Sequence, residues 1–357
     1  MGSRGDEEIM ITFVAAVFVF GILTFFHELG HFMAARYYGI KVYEFSLGFG
    51  LSFFDVKRGD TLYSLRLIPL GGYVKMAGTD PDEEGETEYN APHSFNQKSV
   101  WQRFWVIAAG PLMNFVLAIL LLATIFMVYG MKIPTSHVGN VLEGSPAERF
   151  GIQPGYKIIE VNSIPVNNWA DLTKEINKSA GKEIVLKLEK DGDIYQKVVV
   201  PELDEDGRYI IGIQPDPNNI TVERLNPFAA IWQGMKITLN VSIMIVTFLG
   251  KMIIGAEPPD LSGPVKIVSV IGDAAQTGFF QLLQLTAFLS INIGLLNLFP
   301  IPALDGSRLV FLLVEKIRGK PIDPTKEGFI HMIGFGLLML MIVVVTFNDI
   351  QSLFNSK

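Results

Sequence analysis

The sequence predicts a multi-pass α-helical membrane protein of four spans, with a membrane-associated β-loop and one soluble α+β domain. Three observations carry this reading. Of the 357 residues, 49% are apolar and 18% are charged, a balance that belongs to polytopic membrane proteins with a smaller soluble part. Stretches at about 10–30, 104–131, 277–304 and 329–348 are long enough to cross a hydrocarbon core about 30 Å thick, which takes roughly 20 residues. Between the second and third of them, residues 136–214 turn charged and alternate in polarity.

Residues 1–9 (MGSRGDEEI) are polar and acidic, and Met-Gly-Ser resembles an expression scar, so this tail is set apart from the fold. The first span and its flank, 10–37, follow no basic region and run into ionisable residues instead of a small-residue cleavage site, which argues against a cleaved signal peptide. Within 38–103, Leu62 to Met76 (LYSLRLIPLGGYVKM) alternates partly and is broken by Pro69-Leu-Gly-Gly72. That pattern predicts strand, turn and strand, a small sheet beside or dipped into the membrane. Gly48-Phe-Gly50 just upstream permits close backbone packing.

The second span, 104–131, has no charge from Phe104 to Met131, and the third, 277–306, has none before Asp305. The soluble domain at 136–214 rests on the runs Ile184-Val-Leu-Lys-Leu188 and Lys197-Val-Val-Val200 and a helix-like stretch near 168–178. In the outer segment 215–276, residues 228–254 are apolar but interrupted by Lys236, Asn240 and Lys251, as in interfacial or re-entrant helices. Parity agrees, because a crossing there would put the ends of the first and third spans on opposite sides. A loop at 307–328 and a last span at 329–348 complete the chain.

The loop at 36–103 carries Arg36, Lys41, Lys57, Arg58 and Arg66 among others, and 305–330 carries Arg308, Lys316, Arg318, Lys320 and Lys326. By the positive-inside rule both face the cytoplasm, leaving 136–214 and both termini outward. The net charge of -7 comes largely from acidic stretches such as Asp80 to Glu88 and Glu202 to Asp206, so nucleic acid is not an expected partner. The chain has no cysteine, which excludes disulfides, thiolate metal sites and cysteine nucleophiles.

The chemistry concentrates where the first span ends. In His27-Glu28-Leu29-Gly30-His31 the two imidazoles lie four residues apart on one helix face, as two ligands of one metal require. Glu28 is then placed as general base. Ionisable groups in a membrane span are expensive to retain without a function, although a cluster facing lipid headgroups is the plain alternative. Two histidines leave a catalytic zinc site one ligand short, and His93, His137 and His331 are not obvious partners. A carboxylate is the better candidate: Asp305 follows the third span in Asn297-Leu-Phe-Pro300-Ile-Pro302-Ala-Leu-Asp305-Gly306, on the same side as His31. Pro300 and Pro302 interrupt the helix and Gly306 allows a tight turn. Read structurally, Asp305 is a helix cap before Arg308.

Together, His27-Glu-x-x-His31 and Asn297-x-x-Pro300-x-x-x-x-Asp305-Gly306 resemble the site-2 protease family of intramembrane metalloproteases, of the bacterial RseP/RasP type. Ser46-Leu-Gly-Phe-Gly50, Pro69-Leu-Gly-Gly-Tyr-Val-Lys-Met76, Ala108-Ala-Gly-Pro-Leu-Met-Asn-Phe115 and Leu261-Ser-Gly-Pro264 extend the likeness over nearly the whole chain. The resemblance implies that His27, His31 and Asp305 hold one Zn2+, that Glu28 activates water and that Asn297 contacts substrate. It implies a β-loop at about 55–76, including Gly71 and Gly72, able to pair with an extended substrate strand. Asn114 reads as an interhelical hydrogen-bonding residue.

The soluble domain is similar to a circularly permuted PDZ domain through Gly144-Ser-Pro-Ala147, Gly151-Ile-Gln-Pro-Gly-Tyr-Lys-Ile-Ile-Glu-Val-Asn162 and Tyr209-Ile-Ile-Gly-Ile213, with Tyr209, Ile210, Ile211 and Gly212 as its peptide-binding loop. There is room for one such domain, as in RasP-type members, where the RseP pattern has two in tandem. The implied setting is a bacterial cytoplasmic membrane, with lipid around the spans. The implied substrates are single transmembrane segments already trimmed outside, such as anti-sigma factors or signal-peptide remnants. A non-enzymatic PDZ-bearing scaffold and a zinc transporter are the competing readings.

Overall fold

The computed structural model of the protein describes residues 2–79, 91–204, 207–256 and 263–355. The first elements are α1 (Gly2–Tyr37), β1 (Val42–Arg58), β2 (Thr61–Met76), α2 (Val100–Val128), β3 (Met131–Pro134), β4 (Val138–Val141) and α3 (Pro146–Arg149). Then come β5 (Lys157–Val161), β6 (Ile164–Pro165), α4 (Trp169–Lys178), β7 (Ile184–Lys190), β8 (Asp193–Val199), β9 (Glu202–Leu203), β10 (Tyr209–Ile210), β11 (Ile213–Pro215) and β12 (Ile220–Glu223). The last are α5 (Pro227–Ile253), α6 (Pro264–Thr277), α7 (Phe279–Leu298), α8 (Asp305–Arg318) and α9 (Pro324–Asn355). The chain divides into two compact units, Met1–Ile125 with Pro227–Lys357, and Phe126–Asn226.

The first unit is helical apart from one sheet. α1 starts at Gly2 and not at Met10, since no proline stands before Met10 to break the helix. Small residues set the helix packing. A Cβ on Gly30 of α1 would lie 2.1 Å from the Ala109 carbonyl oxygen of α2, and one on Gly272 of α6 would lie 2.4 Å from Thr12 Oγ1 of α1. One on Gly294 of α7 would lie 3.0 Å from the Pro111 carbonyl oxygen of α2. Asp349 of α9 accepts from the backbone N–H of Gly263 (3.2 Å) and of Lys266 (2.9 Å), capping the start of α6. Leu261 and Ser262 of the Leu261-Ser-Gly-Pro264 motif, and the acidic stretch at 80–88, lie outside the described residues.

Where a loop was expected at 307–328, the chain forms the amphipathic helix α8. It buries Leu309 and Leu312 against Ile107 and Ala108 of α2, and Arg103 donates to both carboxylate oxygens of Glu315. Gly319, in the left-handed region at φ 71°, ends it. The expected third span, 277–304, holds α7 and the turn that follows it, and Gly278 separates α7 from α6 just before it. Residues 228–253 fall in one unbroken 27-residue helix that begins at Pro227. Among the described residues five helices are long and apolar enough to cross a membrane: Gly5–Tyr37, Val100–Val128, Pro227–Met252, Phe279–Leu298 and Thr325–Gln351. Helix length alone therefore does not select four.

The predicted strand, turn and strand is part of a larger sheet. Residues 52–58 pair with 61–66, 62–65 run beside 44–47, and 42–47 pair on their other side with 72–76. Pro69-Leu-Gly-Gly72 is where the chain crosses from one neighbour to the next. Arg66 ties the layers together: its guanidinium donates to Ser46 Oγ (2.8 Å), the Gly50 carbonyl (2.7 Å), Glu44 Oε1 (2.7 Å) and Tyr73 Oη (2.8 Å). Burial pushes the Glu44 carboxyl up, but these hydrogen bonds outweigh it and hold it below the usual carboxylate range.

The second unit is built on the sheet β6-β5-β7-β8. Asp191 (φ 53°) and Gly192 (φ 91°) make the two-residue hairpin turn between β7 and β8. Asn168 caps α4 by accepting from the Asp171 N–H at 2.8 Å, where a helix was expected near 168–178. Ile158, Leu172, Ile184, Leu186 and Leu188 are fully enclosed in its core. Leu186→Ala should cost this unit about 2–5 kcal/mol. Hydrogen-exchange protection of the 184–199 amides would fall accordingly, while that of α1 and α2 stays as in the parent.

Candidate metal centre

Three side chains from distant parts of the sequence converge inside the first unit. His27 and His31 project from one face of α1, and Asp305 opens α8 after the Pro300 to Leu304 turn. Asp305 Oδ2 lies 3.2 Å from His27 Nε2 and 3.4 Å from His31 Nε2, and the two Nε2 atoms are 3.3 Å apart. One ligand atom from each residue falls within 4.8 Å of the others, the condition for holding one metal ion. Among the described residues this is the cluster of that kind. Glu28, also on α1, is buried beside it.

The donor set suits zinc. Two imidazole nitrogens and a carboxylate oxygen are three protein ligands that leave a fourth position open. Buried Asp305 Oδ2 has no hydrogen-bond partner among the described residues, an arrangement that is costly unless a cation accepts its lone pair. The surrounding backbone is shaped to the rings: a Cβ on Gly110 of α2 would lie 2.2 Å from His31 Nε2. His31 Nδ1 donates to the Val106 carbonyl at 2.9 Å, which turns its Nε2 toward Asp305.

Asp305 is presented by a constrained turn. A Cβ on Gly306 would lie 2.0 Å from the Phe299 carbonyl oxygen, so only glycine fits there. Ala303 sits in the left-handed region at φ 76°. Its N–H donates to His331 Nδ1 of α9 at 3.0 Å, and the His331 ring meets Phe311 edge-on, with centroids 5.7 Å apart. His331, set aside as a ligand in the sequence, thus supports the turn that carries Asp305. Neither Gly110 nor His331 was legible as a site residue, because each acts through the space or bond it gives to another residue.

The other expected site residues divide. Gly72 belongs with the cluster: a Cβ there would meet Thr24 Cγ2 at 3.0 Å and Glu28 Cγ at 3.1 Å. Gly71, at φ 100°, rests on the Phe49 ring. Asn297 is half-buried near the end of α7. Tyr209, Ile210, Ile211 and Gly212 belong to the second unit. There the Ile211 and Gly212 carbonyls accept from Ala147 and Leu142, at 2.8 and 2.9 Å, and Tyr209–Ile210 pair with β9.

Substituting Gly110→Ala should lower metal affinity by about tenfold or more, since the imidazole of His31 has to move. The control is Gly21→Ala on α1, where an added Cβ meets nothing within 4 Å. Metal analysis of the purified variants checks this, and equal occupancy in both would overturn it.

The comparisons with known proteins agree with this geometry. The model of Peptidase family M50 matches residues 15–341. The chain is 34% identical to the zinc metalloprotease RasP of Bacillus licheniformis over 97% of its own length and 100% of the relative's. It is 37% identical to a putative zinc metalloprotease of Clostridium acetobutylicum, over 94% and 96%, and 34% identical to the regulator of sigma-W protease RasP of Bacillus subtilis, over 96% and 99%. Among solved structures, the PDZ domain of an SdrC-like protein from Listeria monocytogenes aligns with 23% of this chain and 87% of its own, at 18% identity and a TM-score of 0.21. A family model that matches residues 15–341 and relatives at least 34% identical, aligned over 94% or more of both chains, place this chain in peptidase family M50, as a zinc metalloprotease.

Proposed function

We propose that His27, His31 and Asp305 hold the zinc and that Glu28 is the general base of an intramembrane protease. The carrying observation is the convergence of His27, His31 and Asp305 at one point inside apolar helices, with Glu28 buried next to them. Bound zinc would polarise the scissile carbonyl and lower the pKa of its water toward about 7. Glu28 takes a proton from the attacking water and passes it to the leaving amine. A helical substrate hides its carbonyls in its own hydrogen bonds, so the segment to be cut must first unwind. Residues 72–76 form an edge of the sheet, and Gly72 lies against Glu28. A substrate strand added at that edge runs past the catalytic carboxylate, and Asn297 contacts it.

Four helices cross the membrane in this reading: α1, α2, α7 and α9. α5 is set apart because Lys236, Asn240 and Lys251 interrupt its apolar run, which favours its lying along or re-entering the outer face. The basic loops put the metal centre toward the cytoplasm of a bacterial membrane, with residues 136–214 and both termini outward.

The substrates in this reading are single transmembrane segments left by an earlier outer cut, of the anti-sigma-factor or signal-peptide type. The PDZ-like segment 136–214, with Tyr209 to Gly212 at its peptide loop, screens them by size. Glu28→Gln should reduce cleavage of a transmembrane peptide by about 10²–10⁴-fold while about one zinc per chain remains. Cleavage at the parental rate, or loss of the zinc, would remove Glu28 from the role of base. Deleting 136–214 should raise cleavage of an untrimmed substrate to the rate of the trimmed one, and unchanged rejection would eliminate the size filter.

A further inference from the structure

We propose that Asn114 is a positioning residue for the metal centre: its amide oxygen accepts the Nδ1 proton of His27 and holds the Nε2 lone pair of that ring toward the metal. The inference rests on the proposed ligand assignment. Asn114 lies on α2 and is completely buried. Its Nδ2 is 3.1 Å from His27 Nδ1, while its Oδ1 is buried without a hydrogen-bond partner among the described residues.

The two ends of a primary amide are isosteric, and a rotation of 180° about the last side-chain bond exchanges them. With the nitrogen toward the ring, Nδ1 of His27 has to accept, and the single proton of a neutral imidazole then sits on Nε2. That is the atom 3.2 Å from Asp305 Oδ2 and 3.3 Å from His31 Nε2, so no lone pair is left for a metal. With the oxygen toward the ring, Nδ1 carries the proton, the orphaned acceptor is satisfied and Nε2 is free to ligate.

His31 already has this arrangement. Its Nδ1 faces the Val106 carbonyl, which can only accept, at 2.9 Å. α2 thus supplies an acceptor to the far nitrogen of each histidine, one from the backbone and one from a side chain. A ligating imidazole generally donates its second N–H to such a group, which fixes both tautomer and ring orientation. Asn114 is firmly anchored where it meets the ring, since Ser290 Oγ of α7 donates to its backbone carbonyl at 2.7 Å. A Cβ on Gly294 would lie 3.2 Å from Asn114 Cβ, so α7 also closes over the side chain.

Zinc affinity of the full-length protein in detergent, read by chelator competition, tests this with Asn114→Leu and Asn114→Asp. Leucine keeps the volume and offers no acceptor, whereas aspartate keeps the acceptor and cannot donate. Asn114→Leu should bind zinc about 10–100-fold more weakly, and Asn114→Asp as tightly as the parent or more so. Parental affinity in Asn114→Leu, or an equal loss in Asn114→Asp, would overturn the role. Should Asn114→Leu not fold, 15N NMR of the zinc-loaded, histidine-labelled parent decides. A protonated Nδ1 and a metal-bound Nε2 at His27 are expected, and metal on Nδ1 would overturn the proposal. A parent without zinc, or full zinc in Asp305→Ala, would instead overturn the ligand assignment and this proposal with it.

Discussion

Everything in the helical unit answers to one constraint, the burial of two imidazoles and a carboxylate at a single point inside an apolar bundle. Ionisable groups in such surroundings are tolerated only when they are partnered, and here each partner comes from a different helix. α1 brings both histidines, α2 brings the Val106 carbonyl and Asn114, and α8 brings Asp305. The helices can come this close because glycines stand at the contacts. Gly30 meets the α2 backbone and Gly110 meets the His31 ring, where any side chain would occupy the space of the site. The dense packing that stabilises the bundle is thus also what fixes the ligand geometry.

The same constraint explains the strain near Asp305. Delivering a carboxylate from the end of α7 back into the bundle requires a reversal within a few residues, and Pro300, Pro302 and the left-handed Ala303 make it. A left-handed alanine costs about 1–2 kcal/mol, and such a conformation persists only when its surroundings over-determine it. The bond from the Ala303 N–H to His331 and the pressure of Gly334 on Pro302 provide that. α9 therefore adds no residue to the cluster yet holds the turn on which Asp305 depends.

Much of the site was legible in the sequence because its parts are local. His27, Glu28 and His31 lie within two helical turns, and Asp305 stands in a short run whose prolines and glycine already imply a reversal. What the sequence did not reveal acts across space. Gly110 matters through the ring it makes room for, and Asn114 through the nitrogen it faces. Hydropathy likewise located the apolar helices but ran the third span on to 304, because the turn Phe299 to Leu304 that leaves α7 is as apolar as the helix itself. α8 was missed for the converse reason: its apolar residues recur on one face only, so a stretch that averages to polar forms a packed helix.

The sheet beside α1 addresses the cost that any protease inside a bilayer faces. Each residue unwound from a substrate helix exposes an N–H and a C=O, and no water in the hydrocarbon core can satisfy them. A strand edge offers a complementary row of groups, so in the proposed mechanism pairing at residues 72–76 replaces the lost helical bonds of alternate substrate residues. This works only if the edge is rigid and close to Glu28, the proposed base. Arg66, with four acceptors spread over 44–50 and Tyr73, supplies the rigidity. Gly72, with no side chain between its backbone and Glu28, supplies the closeness. In the proposed mechanism unwinding and attack thus occur on the same few residues of substrate, with strand pairing holding the scissile bond next to Glu28.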